Sequence, residues 1–135
     1  MSFSHVKLLS ATLLLTVSIG ASAKAELKNL SGSEVRKIVA GKTIFLETPY
    51  GFELPIRYRV NGTMTGRGHK IAQLVSAKGK TIDRGRWWIQ GNRLCQKWND
   101  WLEGRSHCFR LKRHGKKVFW KANSGHQGTA RIGGL

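Results

Sequence analysis

The sequence predicts a mainly β domain: a small antiparallel meander or barrel of about eight strands, with one short N-terminal helix and one disulfide. Three observations predict it. After Gly41 the apolar residues recur with a period of two, in short runs. Turn dipeptides separate the runs: Asn61-Gly62, Lys78-Gly79, Gly91-Asn92 and His114-Gly115. The chain carries 16 glycines and one short stretch of helical period, a composition suited to tight turns and a sheet closed or nearly closed on itself.

The N-terminus reads as an export signal. Lys7 is the only strong base before an apolar run, Leu8 to Ile19, and Ala21-Ser22-Ala23 follows as a small-residue cleavage site. The run is shorter than the about 20 residues that span a bilayer. Residues 1–23 are therefore expected to be a leader and 24–135 a single β-rich domain, periplasmic or secreted, with cleavage near Ala23. That domain would keep 23 of the 24 Lys and Arg and all 7 acids, a formal charge of +16. Such a balance attracts polyanions: acidic glycans, lipopolysaccharide phosphates, anionic lipid headgroups or nucleic acid. The two cysteines, in an exported chain, are expected to pair.

Residues 24–30 form a lead-in. Ser31 and Glu34 have the spacing of a capping box, in which each side chain meets the other residue's backbone N–H. Val35, Ile38 and Val39 share one face, and Gly41 can end the turn, so a helix is expected over 32–40, covering an end of the sheet. Strands are expected at 43–48, 55–60, 63–65, 71–76, 85–90, 93–99, 105–113, 116–122 and 129–132.

The second half can be paired residue by residue. With Gly91-Asn92 as a two-residue turn, Ile89 faces Leu94, Trp88 faces Cys95 and Trp87 faces Gln96. With Cys95 opposite Cys108, Leu94 faces Phe109, Gln96 faces His107 and Trp98 faces Arg105. With His114-Gly115 as the next turn, Leu111 faces Val118, Phe109 faces Trp120 and Cys108 faces Lys121. One face then collects Ile89, Leu94, Phe109 and Trp120 as core. The other collects Arg84, Arg86, Trp88, Arg93, Lys97, Arg110, Lys112, Lys117, Phe119 and Lys121 around the Cys95–Cys108 disulfide. Eight of these ten are cations, and Lys112 is expected opposite Lys117, a like-charge pair that disfavours pairing. This basic, Trp-containing face is either a binding surface or a solvated face that guards against edge association. Ile82 shares its outward parity, so a bulge near Asp83 to Gly85, or a later strand start, is expected to relieve it.

On the core side, Trp87, Gln96, Trp98 and His107 either line a ligand pocket or form a satisfied polar layer at a barrel rim. No Cys-x-x-Cys or His-x-x-x-His spacing supports a metal site, and no cofactor is implied. The seven acids offer no convincing catalytic pair, and a Cys nucleophile is lost if the disulfide forms. A non-enzymatic role is the better fit. Interleaved bases and aromatics also suit single-stranded nucleic acid, but export makes an anionic glycan or lipopolysaccharide the better partner, with an anionic membrane surface as an alternative.

Leu30-Ser31-Gly32-Ser33-Glu34, Gly41-Lys42-Thr43, Gly62-Thr63-Met64, Gly85-Arg86-Trp87, Leu94-Cys95-x-x-Trp98 and Cys108 together resemble a group of small exported proteobacterial proteins of unknown function. The resemblance implies a periplasmic or secreted β-rich domain with a disulfide, and it brings no activity. The expected function is recognition of an acidic polysaccharide or lipopolysaccharide through the basic face. The alternatives are a small-molecule carrier or enzyme using the barrel interior near His107, or a virulence-related or structural protein–protein interaction module.

Overall fold

The computed structural model describes residues 27–70 and 75–133, and Leu15 besides. The expected leader (Leu15 apart) and residues 71–74 of the expected strand 71–76 lie outside this set. Val75 and Ser76 belong to no strand.

The helix α1 spans Gly32–Val39. Ser31 accepts from the Glu34 backbone N–H, and the Glu34 carboxylate accepts from the Ser31 N–H at 2.9 Å, completing the capping box. Eight strands follow: β1 (Thr43–Glu47), β2 (Glu53–Tyr58), β3 (Thr63–Arg67), β4 (Ile82–Gln90), β5 (Arg93–Trp98), β6 (Ser106–His114), β7 (Lys117–Ala122) and β8 (Gln127–Ile132). Each pairs antiparallel with its chain neighbours, and β1 closes on β8 through Ile44–Ile132 and Leu46–Ala130. The result is a closed barrel in simple up-and-down order, which leaves no free sheet edge.

Alternation sorts the side chains. Ile44, Leu54, Ile56, Tyr58, Met64, Trp87, Leu94, Trp98, Leu111, Val118, Ala130 and Ile132 are buried in the barrel. α1 adds Val35, Ile38 and Val39 to the same core and seals the end that holds the β4–β5 turn. There Gly32 N donates to Asn92 Oδ1 at 3.0 Å, and Leu30 N donates to the Leu111 carbonyl at 2.8 Å. β6 outruns β5 at this point, so the lead-in supplies the partner that β5 no longer offers.

Two of the three expected registers hold residue by residue: Ile89–Leu94, Trp88–Cys95 and Trp87–Gln96, then Leu94–Phe109, Cys95–Cys108 and Gln96–His107. The pairing of β5 with β6 stops at Lys97–Ser106, so Trp98 does not face Arg105. The third register is shifted by two. His114 faces Lys117, so the turn is Gly115-Lys116, and Leu111 faces Trp120 while Phe109 faces Ala122. Gly115 supplies the positive φ (61°) at the first turn position, as Gly91 does (59°) in the β4–β5 hairpin. A shift of two keeps every side chain on its expected side of the sheet, because the side-chain period is two.

No bulge relieves Ile82. β3 and β4 pair without interruption from Thr63–Arg86 to Arg67–Ile82, and Ile82 stays 44% exposed. The gain is on the other side of the same strand, where Asp83 points inward and organises the loop described below.

Tyr58 is buried, and its hydroxyl donates to Gln96 Oε1 at 2.8 Å. Burial pushes its phenol well above the ordinary value. Above about pH 10 the unfolded chain therefore releases a proton that the folded chain retains, and stability falls as pH rises further. Tyr58→Phe is expected to be about 1 kcal/mol less stable at neutral pH, with Gln96 Oε1 left unpaired. Its urea midpoint should then fall less than the wild-type midpoint between about pH 9 and pH 11. Parallel declines would show that Tyr58 does not govern the alkaline limb.

Candidate functional site

The barrel encloses a cavity of about 350 Å³. Its floor is Ile38 and Val39 of α1, its walls include Leu94, Phe109, Leu111, Val118 and Trp120, and its outer end reaches Leu102, Ser124 and His126. Ser124 and His126 are exposed, so the cavity opens at the end opposite α1, between the β5–β6 and β7–β8 connections. Eight strands give an interior just wide enough for packed side chains or for one small ligand. At roughly 24 cal/mol per Å³, a barrel that leaves this much interior unfilled by its own side chains forgoes several kcal/mol.

The mouth is built by Asp83. Its carboxylate is buried and accepts from the Asp100 and Trp101 backbone N–H groups, both at 2.8 Å. These bonds fix the start of a short 3₁₀ segment, Trp101–Gly104. Within it Leu102 (φ 54°) and Glu103 (φ 59°) sit in the left-handed region, at a cost of roughly 1–2 kcal/mol each. Trp101 folds inward, its Nε1 donating to the Lys80 carbonyl at 2.9 Å and its ring lying 4.9 Å from that of Trp98. Gly66, across from Asp83, makes room for it: a Cβ there would stand 2.5 Å from the Trp101 ring. Outside, Lys80 pairs with Asp100, and that hydrogen bond holds the Asp100 carboxyl below its ordinary value.

Of the four interior residues singled out from the sequence, Gln96, Trp98 and His107 line the cavity. Trp87 does not. Its Nε1 donates to the Arg59 carbonyl at 2.8 Å and the Arg36 guanidinium lies 5.3 Å from its ring, so it belongs to the wall near α1. Sequence reasoning missed Tyr58, Trp101 and Leu102. β2 carried no cross-strand anchor like the disulfide, and Trp101 lies in a loop where period is no guide. The polar groups of the lining are few. Gln96 and His107 face each other across β5 and β6, and His107 Nε2 and Trp120 Nε1 are buried with no partner among the described residues.

The outer surface holds the ten expected residues. Arg84, Arg86, Lys97, Arg110, Lys117, Phe119 and Lys121 are exposed, and Trp88, Arg93 and Lys112 are half-buried. Strands β4 to β7 are four of eight in a closed barrel, so these residues spread around about half its girth. Their tightest group is a row: Arg93 faces Arg110, which faces Lys121. Adjacent strands stand about 4.8 Å apart. Arg86 faces Lys97 in the same way. The expected Lys112–Lys117 opposition does not occur. Lys112 faces Phe119, and Lys117 faces His114 and Arg131, because of the shifted hairpin. Among the described residues none of the eight cations forms an ion pair with an acid. The Cys95–Cys108 disulfide forms, with Trp88 beside Cys95.

Among the described residues no cluster of His, Cys, Asp or Glu could hold a metal, and no helix is long and apolar enough to cross a membrane. Fold and cavity together define a small closed up-and-down barrel with an apolar interior opening at one end. Comparison of the chain with protein-family models, curated proteins and solved structures gives no match.

Proposed function

We propose that this protein is an exported, non-enzymatic carrier that holds a small, mainly apolar molecule inside the barrel. The observation that carries this reading is the apolar cavity of about 350 Å³ with one open end. Ligand pockets commonly measure about 300–1,000 Å³, and an apolar space of ~150 Å³ takes benzene, so a ligand of about a dozen non-hydrogen atoms suits it. Naphthalene is a neutral probe that avoids the basic exterior. At roughly 0.5–0.8 kcal/mol per non-hydrogen atom, it should bind one to one with a Kd on the order of 10 µM. Ala122 lines the cavity opposite Phe109, so Ala122→Phe should fill the space and weaken binding by about tenfold or more. Calorimetric titration checks both. Naphthalene affinity unchanged by Ala122→Phe would remove the interior from consideration.

A second reading rests on the row Arg93–Arg110–Lys121. Directly opposed cations disfavour strand pairing, and an anionic partner would turn that cost into binding. In this reading the exterior anchors the protein to an acidic polysaccharide or lipopolysaccharide of the envelope, with an anionic membrane surface or nucleic acid as the competing polyanions. Dextran sulfate is a suitable probe. Arg93→Ser/Arg110→Ser/Lys121→Ser should weaken binding roughly 10–100-fold at low salt, and high salt should erase the difference. Equal affinity of variant and wild type at low salt would rule this row out.

A further inference from the structure

We infer that the ligand of the barrel carries a hydrogen-bond acceptor, a carbonyl or carboxylate oxygen, buried on its apolar body; this rests on the carrier reading above. The cavity lining is almost wholly apolar, and the interior side chains in it that carry polar atoms are Tyr58, Gln96, Trp98, Trp101, His107 and Trp120. The Tyr58 hydroxyl spends its proton on Gln96 Oε1. That bond uses the carbonyl end of the Gln96 amide and turns its N–H₂ end, a pure donor, toward other partners. Trp120 Nε1 is also a pure donor, and it is buried with no acceptor among the described residues. His107 Nε2 is likewise buried without a partner among the described residues, and it can donate in one tautomer. At the mouth, Ser124 Oγ and His126 Nδ1 satisfy each other at 2.9 Å. The interior therefore holds more donors than acceptors.

Two of the other inward tryptophans have partners for their indole N–H. Trp87 Nε1 meets the Arg59 carbonyl and Trp101 Nε1 meets the Lys80 carbonyl. Trp120 differs. Its ring lies against Gly128, where a Cβ would stand 2.6 Å from it, and edge-on to Phe109 at 5.6 Å. It is held firmly, yet its N–H has no partner among the described residues. A buried unpaired donor costs about 1–3 kcal/mol. A ligand oxygen would remove that cost. Gln96 and His107, directly opposed across β5 and β6, form a second place where one oxygen could meet two side chains. A hydrocarbon of the same shape would leave all of these groups unpaired.

The test compares two probes of one shape: 2-acetylnaphthalene, with a carbonyl oxygen, and 2-isopropenylnaphthalene, with a CH₂ in its place. Each is titrated into the whole protein by calorimetry, at fixed pH and salt. The ketone should bind about tenfold more tightly than the alkene, once their affinities are corrected for aqueous solubility. Trp120→Phe and His107→Leu are then titrated with both probes. At least one should reduce the preference to about threefold or less while leaving alkene affinity unchanged. Because the wild-type comparison needs no substitution, a variant that fails to fold does not remove the test. Equal affinity for ketone and alkene in the wild type would overturn the inference while the carrier reading stands. A preference that survives in both variants, each folded, would also overturn it. Failure of both probes to bind would sink the carrier reading itself.

Discussion

Trp101→Ala should lower the stability of this barrel by about 3–5 kcal/mol. Trp101 is 1% exposed, packs against Trp98 and Gly66, and ties its indole N–H to the Lys80 carbonyl. Truncation removes the largest fully buried side chain and leaves the Lys80 carbonyl without its partner. It also withdraws the anchor that holds Leu102 over the cavity. Small domains have a total stability of about 5–15 kcal/mol, so a large share would go. Urea unfolding followed by far-UV circular dichroism measures it, with the midpoint falling and the slope unchanged. Trp101→Phe keeps most of the apolar contact and loses the hydrogen bond, so its cost should be nearer 1–2 kcal/mol. Equal losses for the two variants would mean that the loop, and not ring packing, sets the stability of the mouth.

Removal of the disulfide is the second large effect. Cys95→Ala/Cys108→Ala should cost about 2–5 kcal/mol. The bond links residues 13 apart, and a closed loop of this order removes about 3 kcal/mol of unfolded-state freedom. Cys95 is fully buried beneath the outer layer, so lost contact adds to the loss. The barrel itself should persist, because the β5–β6 register is also specified by Leu94 on Phe109 and Gln96 on His107. Comparing urea midpoints with and without reductant separates the contributions. Wild type should fall toward the double variant on reduction, and the double variant should not respond. A variant as stable as oxidised wild type would show that the strand pairing alone fixes this hairpin.

The interior of β4 to β7 was legible in the sequence because two rules act together there. Alternation assigns a side to each residue, and the Gly91 turn and the cysteine pair assign partners. The β6–β7 hairpin shows what each rule is worth. Gly in the second turn position, as in Asn-Gly, was the expected pattern, whereas this hairpin places Gly115 first. Partners moved by two, and Phe109 met Ala122 in place of Trp120. Sides did not change, so Phe109 and Trp120 still pack against the core as expected. The outward cations survived for the same reason, but the opposition of Lys112 and Lys117 did not.

The cavity was only half legible. Gln96, Trp98 and His107 could be placed inside by parity, but parity says nothing of how much space their neighbours fill. That depends on Gly66 and Gly128 accepting indole rings, on Asp83 capping the Trp101 turn, and on α1 closing the floor. Each is a contact between segments far apart in the chain. Asp83 carried the one local signal, an acid at an inward position of a strand, where a buried carboxylate needs nearby N–H donors. Ile82 looked like an error beside it, and its exposure is the consequence of turning Asp83 inward on an unbroken strand.

The central claim is that a small apolar molecule lodges inside the barrel. Intermolecular nuclear Overhauser effects from naphthalene protons to protein methyl groups test it most directly. Contacts are expected to the methyls of Leu94, Leu111 and Val118, which line the cavity and are buried from solvent. Contacts confined to residues beside Trp88 and Phe119 on the outer surface, with none to those three, would contradict it.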